Sequence, residues 1–111
     1  MTQVDAIFDI EYPSTITEMD QLAELLESIL GCPKCFISAS MDGPWYSFHY
    51  ENEASLRLKL NADDHSGGRE FVNGGPYLLG IITEPHTLLR IQEILDNSEI
   101  RVKKLWSNDQ Q

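Results

Sequence analysis

Residues 6–30 read AIFDIEYPSTITEMDQLAELLESIL, and the change of period within them decides the fold. Phe8, Ile10 and Tyr12 alternate with Ile7, Asp9 and Glu11, the two-residue repeat of a strand that turns one face inward and carries carboxylates on the other. Pro13-Ser14 ends that strand. Thr15 followed three residues later by Glu18 has the spacing of a capping box, and from residue 18 the repeat becomes helical. At about 100° per residue Met19, Leu22, Leu25, Leu26, Ile29 and Leu30 fall on one broad face, with Gly31 placed to end the helix in a left-handed conformation. A half-apolar strand leading into an amphipathic helix implies a sheet with helices packed on it.

The chain beyond Gly31 supplies the rest of that sheet. From Lys34 to Met41, Cys35, Ile37, Ala39 and Met41 alternate with Phe36, Ser38 and Ser40, and Asp42-Gly43-Pro44 follows as a turn. In Trp45–Tyr50 the residues Tyr46, Phe48 and Tyr50 share one face, while Trp45, Ser47 and His49 share the other. Ala54, Leu56, Leu58 and Leu60 then alternate with Ser55, Arg57, Lys59 and Asn61, the pattern of a half-buried antiparallel strand with a basic outer face. The apolar run Tyr77–Thr83, bounded by Pro76 and Pro85, fits a central strand. A second helix starts from Thr83 or Glu84 as cap with Pro85 in its first turn, buries Leu88, Ile91, Ile94 and Leu95, and closes at Asn97-Ser98. Ile100, Val102 and Trp106 mark a last strand carrying Arg101, Lys103 and Lys104, and the residues from Ser107 on read as a polar tail.

The expected fold is α+β: one domain over residues 1–106, with two helices packed on one mainly antiparallel sheet of about five strands. If residues 45–61 form one bent strand beside residues 77–83, the arrangement approaches a split βαβ sandwich of the ferredoxin-like kind. A chain of 111 residues suits a single core, and 41% hydrophobic with 23% charged residues is ordinary for a globular protein. The first residues have no basic region followed by an apolar run, and no apolar stretch approaches the roughly 20 residues needed to span a bilayer. A cytoplasmic location is the expectation.

Charge is the strongest functional signal. Asp5, Asp9, Glu11, Glu18, Asp20, Glu24 and Glu27 are the only charged residues before position 34, so all 8 Lys and Arg come later in a chain of net charge −10. Asp20, Glu24 and Glu27 recur at helical spacing, and like charges at i, i+4 destabilise a helix by a few tenths of a kcal/mol. A local acidic field of this kind steers a cationic partner and repels nucleic-acid phosphates and anionic lipid. The leading expectation is therefore a small protein-binding inhibitor that neutralises a basic partner, in the manner of an immunity protein or antitoxin covering a nuclease toxin. Asp5, Asp9, Glu11, Asp20, Glu24 and Glu27 would supply the charge, with Trp45, Tyr46 and Trp106 as aromatic anchors if they are exposed. Two alternatives remain: a regulatory domain that binds a small ligand and acts as a homodimer, and a DNA mimic that blocks a nucleic-acid-binding protein.

Other motifs are weaker. Cys32-Pro-Lys-Cys35 follows a helix and leads into a strand, whereas a thioredoxin-like pair opens a helix, and no second Cys/His pair completes a zinc set. His49, His65 and His86 stand apart in the sequence without a catalytic motif. Residues 61–76 contain Asp63-Asp64-His65, Gly67-Gly68 and Gly74-Gly75-Pro76 and read as a long mobile connection, with a weak metal site or binding loop as its functional reading. These glycines lack the spacing of a phosphate loop. No cofactor, metal or catalytic set is assigned.

Overall fold

The computed structural model describes residues 3–38, 44–51, 53–62 and 68–108. The elements follow one another as β1 (Val4–Glu11), α1 (Met19–Leu30), β2 (Cys35–Ile37), β3 (Trp45–Tyr50), β4 (Ala54–Leu60), β5 (Tyr77–Thr83), α2 (Pro85–Asp96) and β6 (Arg101–Ser107). The strands form one six-stranded sheet in the order β2-β3-β4-β5-β1-β6, and every neighbouring pair is antiparallel. Both helices lie on one face, α1 over β3 and β4, α2 over β5 and β6, and they touch each other. The sheet has six strands where about five were expected because Trp45–Tyr50 and Ala54–Leu60 are separate. Glu51 takes a left-handed φ of 50° and Glu53 N–H donates to the Tyr50 carbonyl at 2.9 Å, which reverses the chain there.

Period-two alternation sends one set of side chains into the core. Ala6, Phe8, Ile10, Phe48, Leu56, Leu58, Leu79 and Ile81 are buried against Leu22, Leu26, Ile91 and Leu95 of the helices. The helix ends are set locally. The cap of α1 lies one turn later than expected: Gln21 Oε1 accepts from the N–H groups of Thr17 and Glu18 at 2.8 and 3.1 Å, so the box runs from Glu18 to Gln21 and not from Thr15 to Glu18. Gly31 closes α1 at φ 72°, as its position suggested, and Glu84 is the N-cap of α2 with Pro85 in the first turn. Thr83, the other candidate cap, is instead buried in β5 and donates its hydroxyl to the Glu53 carbonyl.

Three segments differ from their sequence reading. The second strand is described only over Cys35–Ile37; Ala39, Met41 and the Asp42-Gly43 turn lie outside the described residues. Ser107 is a buried residue of β6, and Asn108 next to it exchanges hydrogen bonds with the Asp5 backbone, so the strand includes the first residue read as tail. The described part of the long connection is held in place. Buried Asn61 accepts from Phe71 N–H at 2.9 Å and donates to the Phe71 and Gly75 carbonyls, while Gly75 N–H donates to Asp9 Oδ1 at 2.8 Å. Residues 69–76 thus fold back over one corner of the helix-free face, where Leu78 is fully buried. Asp63, Asp64 and His65, the weak metal reading, lie outside the described residues.

Asn61→Ala should leave the Phe71 N–H without its acceptor and lower the unfolding free energy by about 1–3 kcal/mol, measured from urea transitions. Amide exchange in residues 69–76 should accelerate selectively. Unchanged exchange there would show that Asn61 is not what pins the loop.

Candidate functional site

The acidic ridge of α1 is turned toward the β2 edge of the sheet. Asp20 Oδ1 accepts a 2.6 Å hydrogen bond from the phenol of Tyr46, which rises from β3 on the helix side. That bond to a carboxylate, with burial and the nearby Glu24 charge adding to it, pushes the Tyr46 pKa up to about 12. At the other end of the ridge, Glu27 Oε2 accepts from the backbone N–H of Lys34 at 2.9 Å and Oε1 lies 3.6 Å from its ammonium. Glu24 stands between them, exposed. Beside this ridge the Phe36 ring, 53% exposed, packs on Tyr46 at 5.1 Å between centroids. α2 carries exposed acids of its own, Glu93 and Asp96, of which Asp96 Oδ1 accepts from Val102 N–H at 3.5 Å. Its one basic residue, Arg90, is held by Glu53 at 3.3 Å and Glu51 at 3.8 Å and lies over the Tyr50 ring.

The opposite face of the sheet carries no helix. Its side chains form rows fixed by the strand register: Ser47, Arg57, Gly80, Ile7 and Trp106 lie across from one another, as do Trp45, Lys59, Leu78, Asp9 and Lys103. Asp9 and Glu11 face Lys103 and Arg101 directly, so the acidic side of β1 is matched by bases on its neighbour. Arg57 lies over the Trp45 ring at 4.9 Å, and Lys59 is 3.4 Å from Glu70. Around Gly80 the face sinks into a depression of about 190 Å³ with Ile7, Gly80 and Ile82 as its floor and Asp5, Ser55, Arg57 and Lys59 at its rim.

The residues singled out from the sequence therefore separate into two surfaces. Asp20, Glu24 and Glu27 are on the helix side; Asp5, Asp9, Glu11, Trp45 and Trp106 are on the open sheet face. Tyr46 is only 6% exposed, packed in the core beside Phe36 with its hydroxyl held by Asp20, and so does not meet the exposure condition set for an anchor. Trp106, at 41%, does meet it. Phe36 and Gly80 were missed as site residues. The signals were present: an aromatic among serines in a short strand, and a glycine inside an apolar strand run.

The remaining candidates stay apart. Cys32 is buried and Cys35 exposed, both as free thiols, and burial followed by the Glu27 charge raises the Cys32 pKa, which disfavours a reactive thiolate. His49 and His86 are exposed, with His86 Nδ1 3.5 Å from Glu84. Among the described residues no three or more His, Cys, Asp or Glu side chains cluster to hold a metal ion, and no helix is long and apolar enough to cross a membrane. Comparison with protein-family models and with curated protein sequences finds no match to this chain.

Tyr46→Phe should lower the unfolding free energy near pH 7 by about 1 kcal/mol through the lost bond to Asp20. Because the folded pKa of Tyr46 is raised, its contribution is intact below pH 10 and is lost as pH rises toward about 12. The alkaline fall of the urea midpoint between pH 10 and 12 should accordingly be shallower in Tyr46→Phe, and parallel falls would show that Asp20 does not hold the phenol.

Proposed function

We propose that this chain is a protein-binding inhibitor that docks a basic partner on its helical layer, covering a cationic site as an immunity protein or antitoxin covers a nuclease toxin. The observation that carries the reading is that α1 presents Asp20, Glu24 and Glu27 with no Lys or Arg on the same helix, next to the exposed Phe36. Glu93 and Asp96 of α2 continue the same sign, while Arg90 is already paired. Such a surface combines a steering field with an apolar contact: the charge speeds encounter and Phe36 supplies a group that gains by desolvation. Nuclease sites are cationic where they grip phosphates, so the acidic layer competes for the same groups as substrate. The acids of β1 have a smaller part than their number suggests, since Lys103 and Arg101 stand opposite Asp9 and Glu11.

A cytoplasmic bacterial setting goes with this reading. So does a finer description of the fold: without the β2-β3 hairpin, the order β4-β5-β1-β6 with its two helical crossovers is that of a ferredoxin-like split βαβ unit.

Glu24 is the residue to change, because Asp20 and Glu27 also hold Tyr46 and Lys34. Immobilised chain should retain a basic protein from an extract of its own cells at low salt and release it as salt rises. The purified protein should have nuclease activity that the chain inhibits stoichiometrically, and Glu24→Lys should weaken that inhibition by about tenfold or more without changing the urea midpoint. A captured protein without nuclease activity, or inhibition indifferent to Glu24→Lys, overturns the reading.

A further inference from the structure

The loop of residues 69–76 covers one end of the open sheet face and leaves a recess at its middle. Gly75 is tied to Asp9 and Glu70 to Lys59 at 3.4 Å, with Leu78 fully buried in the same row. One same-face step along the strands lie Ile7, Gly80 and Arg57, and one step further Asp5, Ile82 and Ser55. These two rows form the depression of about 190 Å³, with Lys59 at its loop end. Gly80 keeps it open: a Cβ added there would meet no atom within 4 Å, and its φ is outside the left-handed range, so the strand itself does not require glycine. Glycine inside a strand weakens it and commonly marks a place that a ligand or another chain approaches closely. Two charges at the rim also lack a partner of opposite sign. Among the described residues the Asp5 carboxylate makes no hydrogen bond or ion pair, and the Arg57 guanidinium contacts only the Trp45 ring, which leaves its N–H donors without an acceptor.

We propose that this recess binds a small zwitterion of dipeptide size, with its ammonium group on the Asp5 carboxylate, its carboxylate on the Arg57 guanidinium and its apolar body on Ile7, Gly80 and Ile82. The charges select the class of ligand. Asp5 alone would suit a cation and Arg57 alone an anion, but each repels the ligand of the other. A molecule of both signs satisfies the two together and adds nothing to a chain of net charge −10. The spacing selects the size. Asp5 and Arg57 are two strands apart and two residues out of line, which separates them by on the order of 12 Å across the recess. A hydrogen bond of about 2.9 Å at each end leaves roughly 6 Å between the charges of the ligand. A dipeptide spans that distance, whereas a single amino acid is shorter by one residue, about 3.5 Å. The volume agrees, since about 190 Å³ is the share of about six liquid waters. Ser55 on the rim supplies a hydroxyl for the peptide group. A broad protein surface is excluded, because residues 69–76 stand over the neighbouring row and keep a flat partner from descending to Gly80. The recess is on the side opposite the helical layer and stands independently of the inhibitor reading.

Alanyl-valine is the probe, titrated into the isotope-labelled full chain and followed by amide chemical shifts. The Gly80 and Ile82 amides should move saturably with a Kd on the order of 0.1–1 mM, as expected of so small a ligand. N-acetyl-alanyl-valine, which lacks the ammonium group, and alanyl-valinamide, which lacks the carboxylate, should each bind at least about tenfold more weakly. Asp5→Asn should weaken alanyl-valine by about tenfold and leave the acetylated form unchanged, while Arg57→Gln should do the same with respect to the amide, which pairs each charge with its residue. Gly80→Leu, which has room for its side chain in the isolated fold, should keep the circular dichroism of the wild type and lose binding. The proposal is overturned if alanyl-valine causes no saturable shift at Gly80, if the blocked dipeptides bind as well as the free one, if either charge variant binds alanyl-valine like wild type, if Asp5→Asn weakens the free and acetylated dipeptides alike, or if a folded Gly80→Leu still binds.

Discussion

Two helices of twelve residues can roof one face of a six-stranded antiparallel sheet and leave the other open, and most of the molecule's organisation follows from that inequality. Because side chains alternate, each strand residue belongs wholly to the roofed face or wholly to the open one. Phe8, Phe48, Leu56, Leu58 and Ile81 are fully buried beneath the helices, and a slip of one residue in any of these strands would exchange them for Asp9, Ser47, Ser55, Arg57 or Ile82. Register is therefore enforced by a large apolar penalty. Where the open face does hide an apolar residue, at Leu78, a loop tied to Asn61 and Asp9 takes the role of a roof.

Several carboxylates that look like surface charge have structural partners. Asp20 receives the Tyr46 phenol, Glu27 ties Lys34 back to the end of α1, Asp9 receives Gly75, and Glu53 gathers Thr87 and Arg90 onto the β3–β4 turn. Bonds to ionised acceptors are stronger than neutral ones, and all but the Glu27–Lys34 contact join elements distant in sequence. Net charge alone thus overstates what is available to a partner. Asp96 likewise accepts from Val102 N–H of β6 at 3.5 Å, so exposed Glu24 defines the acidic surface of α1 more sharply than the count of acids does.

Element order and core faces were legible because they depend on local periodicity: Phe8 and Ile10, Leu22 and Leu26, Leu88, Ile91 and Leu95 are buried as their spacing requires. The capping box was read one turn too early because Thr15 and Glu18 match the Ser/Thr-x-x-Glu/Gln pattern, whereas the cap that forms has Glu18 in the place of the hydroxyl residue and Gln21 reaching back to it. The candidate site was less legible. That the acids of β1 and the ridge of α1 lie on opposite sides depends on which strand face the helices choose, a tertiary fact. The buried hydroxyl of Tyr46 is satisfied by Asp20, 26 residues away. Composition made residues 61–76 look mobile, since a glycine-rich segment shows nothing of the single asparagine that gathers its carbonyls.

The separation of the two surfaces has an electrostatic consequence. Asp20 reaches the Tyr46 phenol of β3, so the carboxylates of α1 stand on the order of 10 Å from the plane of the sheet, on the side away from Arg57 and Lys59. That distance exceeds the screening length of about 8 Å at physiological salt, so the field of the helical layer is largely extinguished at Arg57 and Lys59. The open face behaves as a nearly neutral surface even though the chain as a whole carries −10. At low ionic strength the screening length grows to about 30 Å, and the helical acids of one copy are then felt by the next. Attraction of a cation to the helical layer should therefore weaken as salt is added, while the balanced charges of the open face respond far less. It is the one-sided roofing of the sheet that keeps the acidic helical layer and the charge-balanced face apart.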